Sequence, residues 1–297
     1  TGEPVSVSLG RLAIIGVGLI GGSLARALRA QGAVDSVIGC GRDRVNLERA
    51  LELGVVDEWT HDPAEAARGA DIVVVAVTLG ATGDILARIA PALTEHAIVT
   101  DVGSAKRCVL DAARAAMPRQ LARFVAGHPI AGAEKSGVEA ARQDLYERHR
   151  VILTPTPDTD GNALATVRRM WELVGADVCE MDADLHDEVL AATSHLPHLL
   201  AYALVNCLLD LGKPVNVFDF AAGGFRDFTR IASSNPAMWR DISIENRTAL
   251  LAVCSRFEDT LAALRRALEA GDAATLEAEF GRAKAARDEF MRRRTMT

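Results

Sequence analysis

The sequence has no cysteine pair at C-x-x-C spacing, no apolar run long enough to cross a bilayer, and no excess of positive charge. Each absence excludes something. The five cysteines (Cys40, Cys108, Cys179, Cys207, Cys254) are scattered and odd in number, which argues against a zinc site or disulfide framework and for a reducing compartment. The most hydrophobic run, residues 72–77, is far short of the ~20 residues that a transmembrane helix needs. The first residues lack the basic region and long apolar stretch of a secretory signal. A formal charge of −7 offers no cationic footprint to nucleic acid or to an anionic membrane. The expectation is a soluble, cytoplasmic protein with no metal, membrane or nucleic-acid partner.

What is present fits two ordinary domains. The chain has 297 residues, 49% of them apolar and 25% charged, enough for two cores. Short apolar runs at 12–15, 37–40, 72–77, 98–101, 124–126, 151–154 and 178–181 read as strands, and IVVVAV suits a parallel sheet covered on both faces. Between them lie helical patterns such as Leu24/Leu28 and Leu47/Leu51. Alternation of this kind predicts an α/β, doubly wound sheet of Rossmann type over residues 1–181. From 182 to 297 the sequence is almost entirely helix-compatible, with breaks near 212–214, 223–224, 235–236 and 271–272. An all-helical second domain is expected there. The apolar stretch 199–209, which has hardly a polar face, predicts that it pairs with a second copy as a homodimer.

The segment Gly16-Val17-Gly18-Leu19-Ile20-Gly21 follows the first strand and opens the first helix. Its glycines permit a tight turn, close approach of a pyrophosphate, and close packing of helix on strand, with phosphates on the helix N-terminus. Gly16, Gly18, Leu19, Ile20 and Gly21 are therefore assigned to a dinucleotide, with Val77 at the end of the 72–77 run. At the tip of the second strand, where an acidic residue usually reads the ribose, stand Gly41, Arg42 and Asp43. Arg42 can bind a 2′-phosphate or stack on adenine, and Asp43 can reach the hydroxyl by a local shift. The tip favours NADP and leaves NAD open.

Four further segments carry polar residues that a plain nucleotide-binding core does not need. TDVGSAK (100–106) and GHPIAGAEKSG (127–137) each follow a strand, where open α/β sheets place their ligands. Pro129 confines His128 to extended backbone. SHLPH (194–198) puts Ser194 and His198 on one helix face, with Pro197 expected to kink the helix. GGFRDFTRIASSNPAMW (223–239) lies between helices. Taken alone, His128 could be a turn histidine, Trp239 a core aromatic, Arg230 a solvated charge, and Arg226 a partner for Asp227. His195 falls off the Ser194/His198 face and reads as structural. Lys106 reads as a capping or solvated residue, and His61, His96, His149 and His186 as surface residues.

In this order GVGLIGGS, TDVGSAK, GHPIAGAEKSG, SHLPH and GGFRDFTRIASSNPAMW resemble the prephenate/arogenate (cyclohexadienyl) dehydrogenase family, over about residues 11–246. The resemblance implies an enzyme of tyrosine biosynthesis. It would oxidatively decarboxylate prephenate to 4-hydroxyphenylpyruvate, or arogenate to tyrosine, with hydride passing to NAD(P). It further implies that His128 is the catalytic base and that Ser104 orients it and touches the nicotinamide. Arg230 would hold the ring carboxylate, with His198, Ser194, Trp239 and Arg226 around the pocket and Glu134 at its edge. Two positions depart from the family's form: Ala133 where a hydroxyl residue can stand, and Arg226 where lysine can. The residue types suit the chemistry, since imidazole is a base near neutrality and guanidinium binds a carboxylate bidentately. Two rivals remain. A β-hydroxyacid-type dehydrogenase would need a lysine in the helical domain, where only Lys213 and Lys284 occur. A non-catalytic nucleotide-binding regulator would bind without turnover.

Overall fold

A computed structural model describes residues 8–132, 135–211 and 215–295. Its larger sheet contains β1 (Arg11–Ile15), β2 (Ser36–Cys40), β3 (Glu58–Thr60), β4 (Ile72–Val75), β5 (Ile98–Asp101) and β6 (Phe124–Val125). All neighbours are parallel, in the order β3-β2-β1-β4-β5-β6, the order of two joined mononucleotide-binding halves. The connecting helices are α1 (Leu19–Ala30), α2 (Arg44–Glu52), α3 (Pro63–Ala67), α4 (Leu79–Ile89) and α5 (Arg107–Ala116).

The continuous apolar runs follow from burial on both faces. Successive strand residues point to opposite sides, so Leu12, Ile14, Ile72 and Val74 join Leu24, Leu28 and Leu47 in one core. Ala13, Ile15, Val73 and Val75 join Leu86, Ile89, Val109 and Leu110 in the other. Of the expected pair on α2, Leu47 is buried whereas Leu51 is exposed. β3 has no apolar run to announce it, because Glu-Trp-Thr forms a half-covered edge.

The later strands depart from a single sheet. β7 (Gly127–Pro129), β8 (Arg150–Leu153) and β9 (Asp177–Glu180) form a separate three-stranded sheet, with α6 (Gly161–Leu173) between β8 and β9. β7 runs antiparallel to β8 and β8 parallel to β9. The chain changes partner at Ala126, whose carbonyl accepts from Thr154 N at 2.9 Å. An apolar run specifies a strand but not its direction or its partner, so this split was not visible beforehand.

Helices follow: α7 (Ala183–Leu190), a π-helical turn at Ala191–His195, α8 (Leu196–Leu209), α9 (Gly223–Thr229), a 3₁₀ turn at Arg230–Ser233, α10 (Pro236–Glu245), α11 (Arg247–Ala270) and α12 (Ala273–Thr295). Asn235 caps α10 through its side chain, with Pro236 in the first turn, and Gly271 falls between α11 and α12. The break near 212–214 lies outside the described residues. Pro197 has no N–H to donate, and the turn before it is π-helical, the wider turn that recurs at functional sites. The chain divides into compact units 1–247 and 248–297, so α7 to α10 belong to the same unit as the sheets. The change from strands to helices falls between Glu180 and Ala183. Among the described residues no helix is long and apolar enough to cross a membrane.

Candidate active site

The glycine loop is shaped by contacts only glycine tolerates. Gly16 has φ +104°, and a Cβ there would sit 2.2 Å from the Ala76 carbonyl oxygen. A Cβ on Gly21 would sit 2.4 Å from the Gly16 oxygen, so this glycine lets α1 pack on β1. Around Gly18 the space is open, and Gly18 caps α1 without a side chain. By contrast α2, α3, α6 and α7 are capped by Asp43, Asp62, Asp160 and Asp182. The first N–H groups of α1, at Leu19 and Ile20, are left to an external anion, and a dinucleotide pyrophosphate fits that need. Asn46 braces the loop, donating to the Val17 carbonyl at 2.7 Å and accepting from Val138 N at 2.9 Å.

At the tip of β2, Gly41 would meet the Leu47 side chain, from 3.4 Å outward, if it carried a Cβ. Arg42 is exposed and has no ion-pair partner among the described residues. Asp43 is engaged differently from the expectation. Its Oδ1 accepts from Val45 N at 2.9 Å and Asn46 N at 3.3 Å, because α2 needs a cap there, leaving Oδ2 for any ribose contact. His61 bonds the Gly41 carbonyl through Nδ1 at 2.7 Å. Val77 is half-buried just past β4.

The end of β5 meets β7 in a buried polar cluster. Asp101 and Lys106 are both fully buried and pair at 2.5 Å. Asp101 also accepts from Gly103 N and Gly127 N, at 2.7 and 3.1 Å, while Lys106 donates to the Gly127 carbonyl at 2.7 Å. Both groups therefore grip the residue before His128. Lys106 is neither a solvated charge nor a side-chain cap.

His128 is 8% exposed on β7. Its Nδ1 lies 2.9 Å from Nε2 of His186, which is fully buried and not a surface residue. Nδ1 of His186 lies 2.8 Å from Asp187 Oδ1. The Asp187 carboxylate is seated on the start of α5, accepting from Lys106 N at 2.7 Å and Arg107 N at 3.0 Å. Burial first, then His186, Lys106 and His195, hold the His128 pKa well below 6.5. Burial alone would raise the Asp187 carboxyl, but the His186 bond and the two backbone N–H groups hold it below the ordinary range. Ser104 is half-buried, and its hydroxyl is not what holds the His128 ring: the described bond goes to His186. His186 and Asp187 were missed, although Ala183, His186, Asp187 and Leu190 form an i, i+3, i+4, i+7 stripe that α7 buries.

The helical segment supplies the other wall. His198 bonds the Ser194 carbonyl through Nδ1 at 2.9 Å and stacks on Trp239, with ring centroids 3.5 Å apart. Burial, and then the Arg230 charge, keep His198 below its ordinary pKa. Arg230 opens the 3₁₀ turn after α9, and Tyr202 of α8 holds that turn by donating to the Ser234 carbonyl at 2.7 Å. Arg226 is exposed on α9, with no described ion pair to Asp227. Glu134 and Ala133 lie outside the described residues. His195 is more than filler. Asn246 donates one amide N–H to the Asp187 carbonyl at 2.8 Å and the other to His195 Nδ1 at 3.0 Å. The His195 proton is therefore on Nε2, which is buried and faces the Ser104 backbone, while Trp239 Nε1 is buried with no partner among the described residues. Burial pushes His195 down to about 4. Of the two lysines after residue 181, Lys213 lies outside the described residues and Lys284 pairs with Asp288 on α12. No group of three or more metal-ligating side chains occurs among the described residues.

Fold and site together define a dinucleotide-dependent dehydrogenase: a Rossmann-type sheet with an uncapped phosphate helix, a buried neutral imidazole on the strand that follows β6, and helices after the last strand. More narrowly, the chain belongs to the prephenate dehydrogenase family. The family's nucleotide-binding domain matches residues 24–180 and its dimerization domain matches residues 182–282. A cyclohexadienyl dehydrogenase of Zymomonas mobilis is 38% identical over 93% of this chain and 94% of its own length. A prephenate dehydrogenase of Bacillus subtilis is 37% identical over 93% of this chain and 74% of its own. The crystal structure of prephenate dehydrogenase from A. aeolicus, in complex with hydroxyphenyl propionate and NAD+, superimposes with a TM-score of 0.90. That comparison is at 39% identity and covers 96% of this chain and 99% of that one.

Proposed function

We propose that this chain oxidatively decarboxylates prephenate, arogenate or both, passing hydride to a nicotinamide dinucleotide, as a cytoplasmic step of tyrosine biosynthesis. The observation that carries the reading is His128, a buried neutral imidazole whose Nδ1 is engaged and whose Nε2 has no described bond, in a chain whose first nucleotide-fold helix is uncapped. The bound dinucleotide supplies the hydride acceptor. His128 takes the proton of the ring hydroxyl as hydride leaves the same carbon. The bond to the ring carboxylate then breaks, its electrons aromatise the ring, carbon dioxide departs, and His128 returns its proton to the phenol oxygen. In this reading Ser104 meets the nicotinamide side and Arg230 binds the ring carboxylate. Ser194, His198, Trp239 and Arg226 surround the side chain.

Gly16, Gly18, Leu19, Ile20, Gly21 and Val77 hold the dinucleotide. Gly41 and the unpaired Arg42 make room and charge for a 2′-phosphate, so NADP is accepted at least as well as NAD. The functional division falls at 1–181 and 182–297, in keeping with the spans matched by the two family domains. A homodimer forms through the helical part, because α8 leaves Leu199 and Leu209 exposed in the single chain. The test is 340-nm kinetics with prephenate and arogenate, each crossed with NAD and NADP, in wild type and in Gly41→Asp. Gly41→Asp shifts preference toward NAD. A wild-type preference for NAD of tenfold or more overturns the cofactor reading, and absence of turnover with both substrates overturns the function.

A further inference from the structure

The geometry points to His186 and Asp187 as positioning residues that fix the tautomer of His128, so that its Nε2 is the bare lone pair that meets the substrate. The inference rests on His128 being the base. Its grounds are a chain of donors and acceptors that closes in only one direction.

Asp187 is an acceptor at every contact. Both of its carboxylate oxygens receive backbone N–H groups, of Lys106 and Arg107, and Oδ1 also faces His186 Nδ1 at 2.8 Å. His186 must therefore carry a proton on Nδ1. His186 is fully buried, and its neighbours include the Lys106 ammonium, so it is neutral and its Nε2 is a lone pair. That lone pair lies 2.9 Å from His128 Nδ1, which must then be the donor. A neutral His128 with Nδ1–H has its one in-plane lone pair on Nε2. The alternative tautomer would set two lone pairs against each other inside a buried cluster.

The same chain answers the charge that develops in the reaction. When the substrate proton arrives at His128 Nε2, the imidazolium finds Nδ1–H already bonded, and the nearest fixed anion along the chain is Asp187. The Asp101 carboxylate is committed to Lys106, so it cannot serve that purpose. Asp187 is itself held in place by the start of α5 and by Asn246, which bonds its backbone carbonyl. The arrangement follows the logic of base and orienting carboxylate, with one more imidazole between them.

The test compares His186→Leu, His186→Gln and Asp187→Asn with wild type. Gln can place its amide oxygen where Nε2 of His186 stands and accept from His128; Leu cannot. His186→Leu should lower kcat about 10²-fold with KM changed less than threefold, while His186→Gln should recover most of that loss. Should Leu unfold the cluster, ¹⁵N NMR of the imidazoles gives a second reading without turnover. Wild-type His128 should show a protonated Nδ1 and a bare Nε2, and Asp187→Asn should mix or reverse that assignment. A wild-type His128 protonated on Nε2 overturns the inference, as does equal kcat in folded His186→Leu and wild type. If His128→Asn instead keeps normal kcat, it is the assignment of the base that has failed.

Discussion

At the scale of single residues, the site depends on keeping one imidazole neutral and aimed. His128→Asn is an informative replacement, because asparagine can still donate to His186 Nε2 from the Nδ1 position while offering no base at the Nε2 position. The expected result is a 10²–10⁴-fold fall in kcat with cofactor and substrate affinity within about threefold, the usual worth of a positioned base. Near-normal kcat would remove His128 from the mechanism. The pH profile carries a sign as well. With the free-enzyme pKa held well below 6.5 by burial, then His186, Lys106 and His195, the acid limb of kcat/KM should lie below pH 6.5. At this scale the sequence exposed His128 through the strand-end motif and Pro129. It did not expose His186, which lies 58 positions away and looks like any polar helix residue until its burial is known.

At the scale of elements, the joint between β5 and β7 matters most. Lys106 and Asp101 tie the Gly127 backbone to the end of β5, and nothing but this pair and its hydrogen bonds keeps two full charges comfortable at zero and 1% exposure. Lys106→Met leaves the buried Asp101 carboxyl without its cation, so unfolding free energy should fall by about 3–5 kcal/mol. Activity should fall too, as β7 loses its anchor. Urea unfolding of the variant measures the first effect. A loss under about 1 kcal/mol would mean that water replaces the ammonium and that the joint is held by backbone pairing alone. The alternating helices and strands were legible because periods of 3.6 and 2 are local properties. The antiparallel turn of β7 onto β8 was not, since apolar runs carry no direction.

At the scale of the whole molecule, three buried imidazoles make the fold sensitive to acid. His128, His186 and His195 all sit below 6.5, each first because of burial. The unfolded chain takes up a proton at each near pH 6.5, while the folded chain does not. The unfolded state therefore binds more protons, so stability is full above about pH 6.5 and is lost as pH falls through the folded values. For His195, the displacement from 6.5 to about 4 corresponds to about 3 kcal/mol. Melting temperature should drop steadily between pH 6.5 and 4, and less steeply in His195→Asn. A flat profile over that interval would show that water reaches these rings.

The sequence by itself determined what neighbours along the chain can decide. The glycine turn after β1, the alternation that makes the sheet and the position of His128 just after a strand all follow from local backbone sterics and periodicity. Ordered motifs added the family. Tertiary structure alone decided which polar groups are taken out of water together. The His128 ring meets the His186 ring across 58 positions and His195 meets Asn246 across 51. The same side chains would be ordinary solvated residues if the helices packed one turn differently. Burial sets their protonation, and burial is a property of the packed fold.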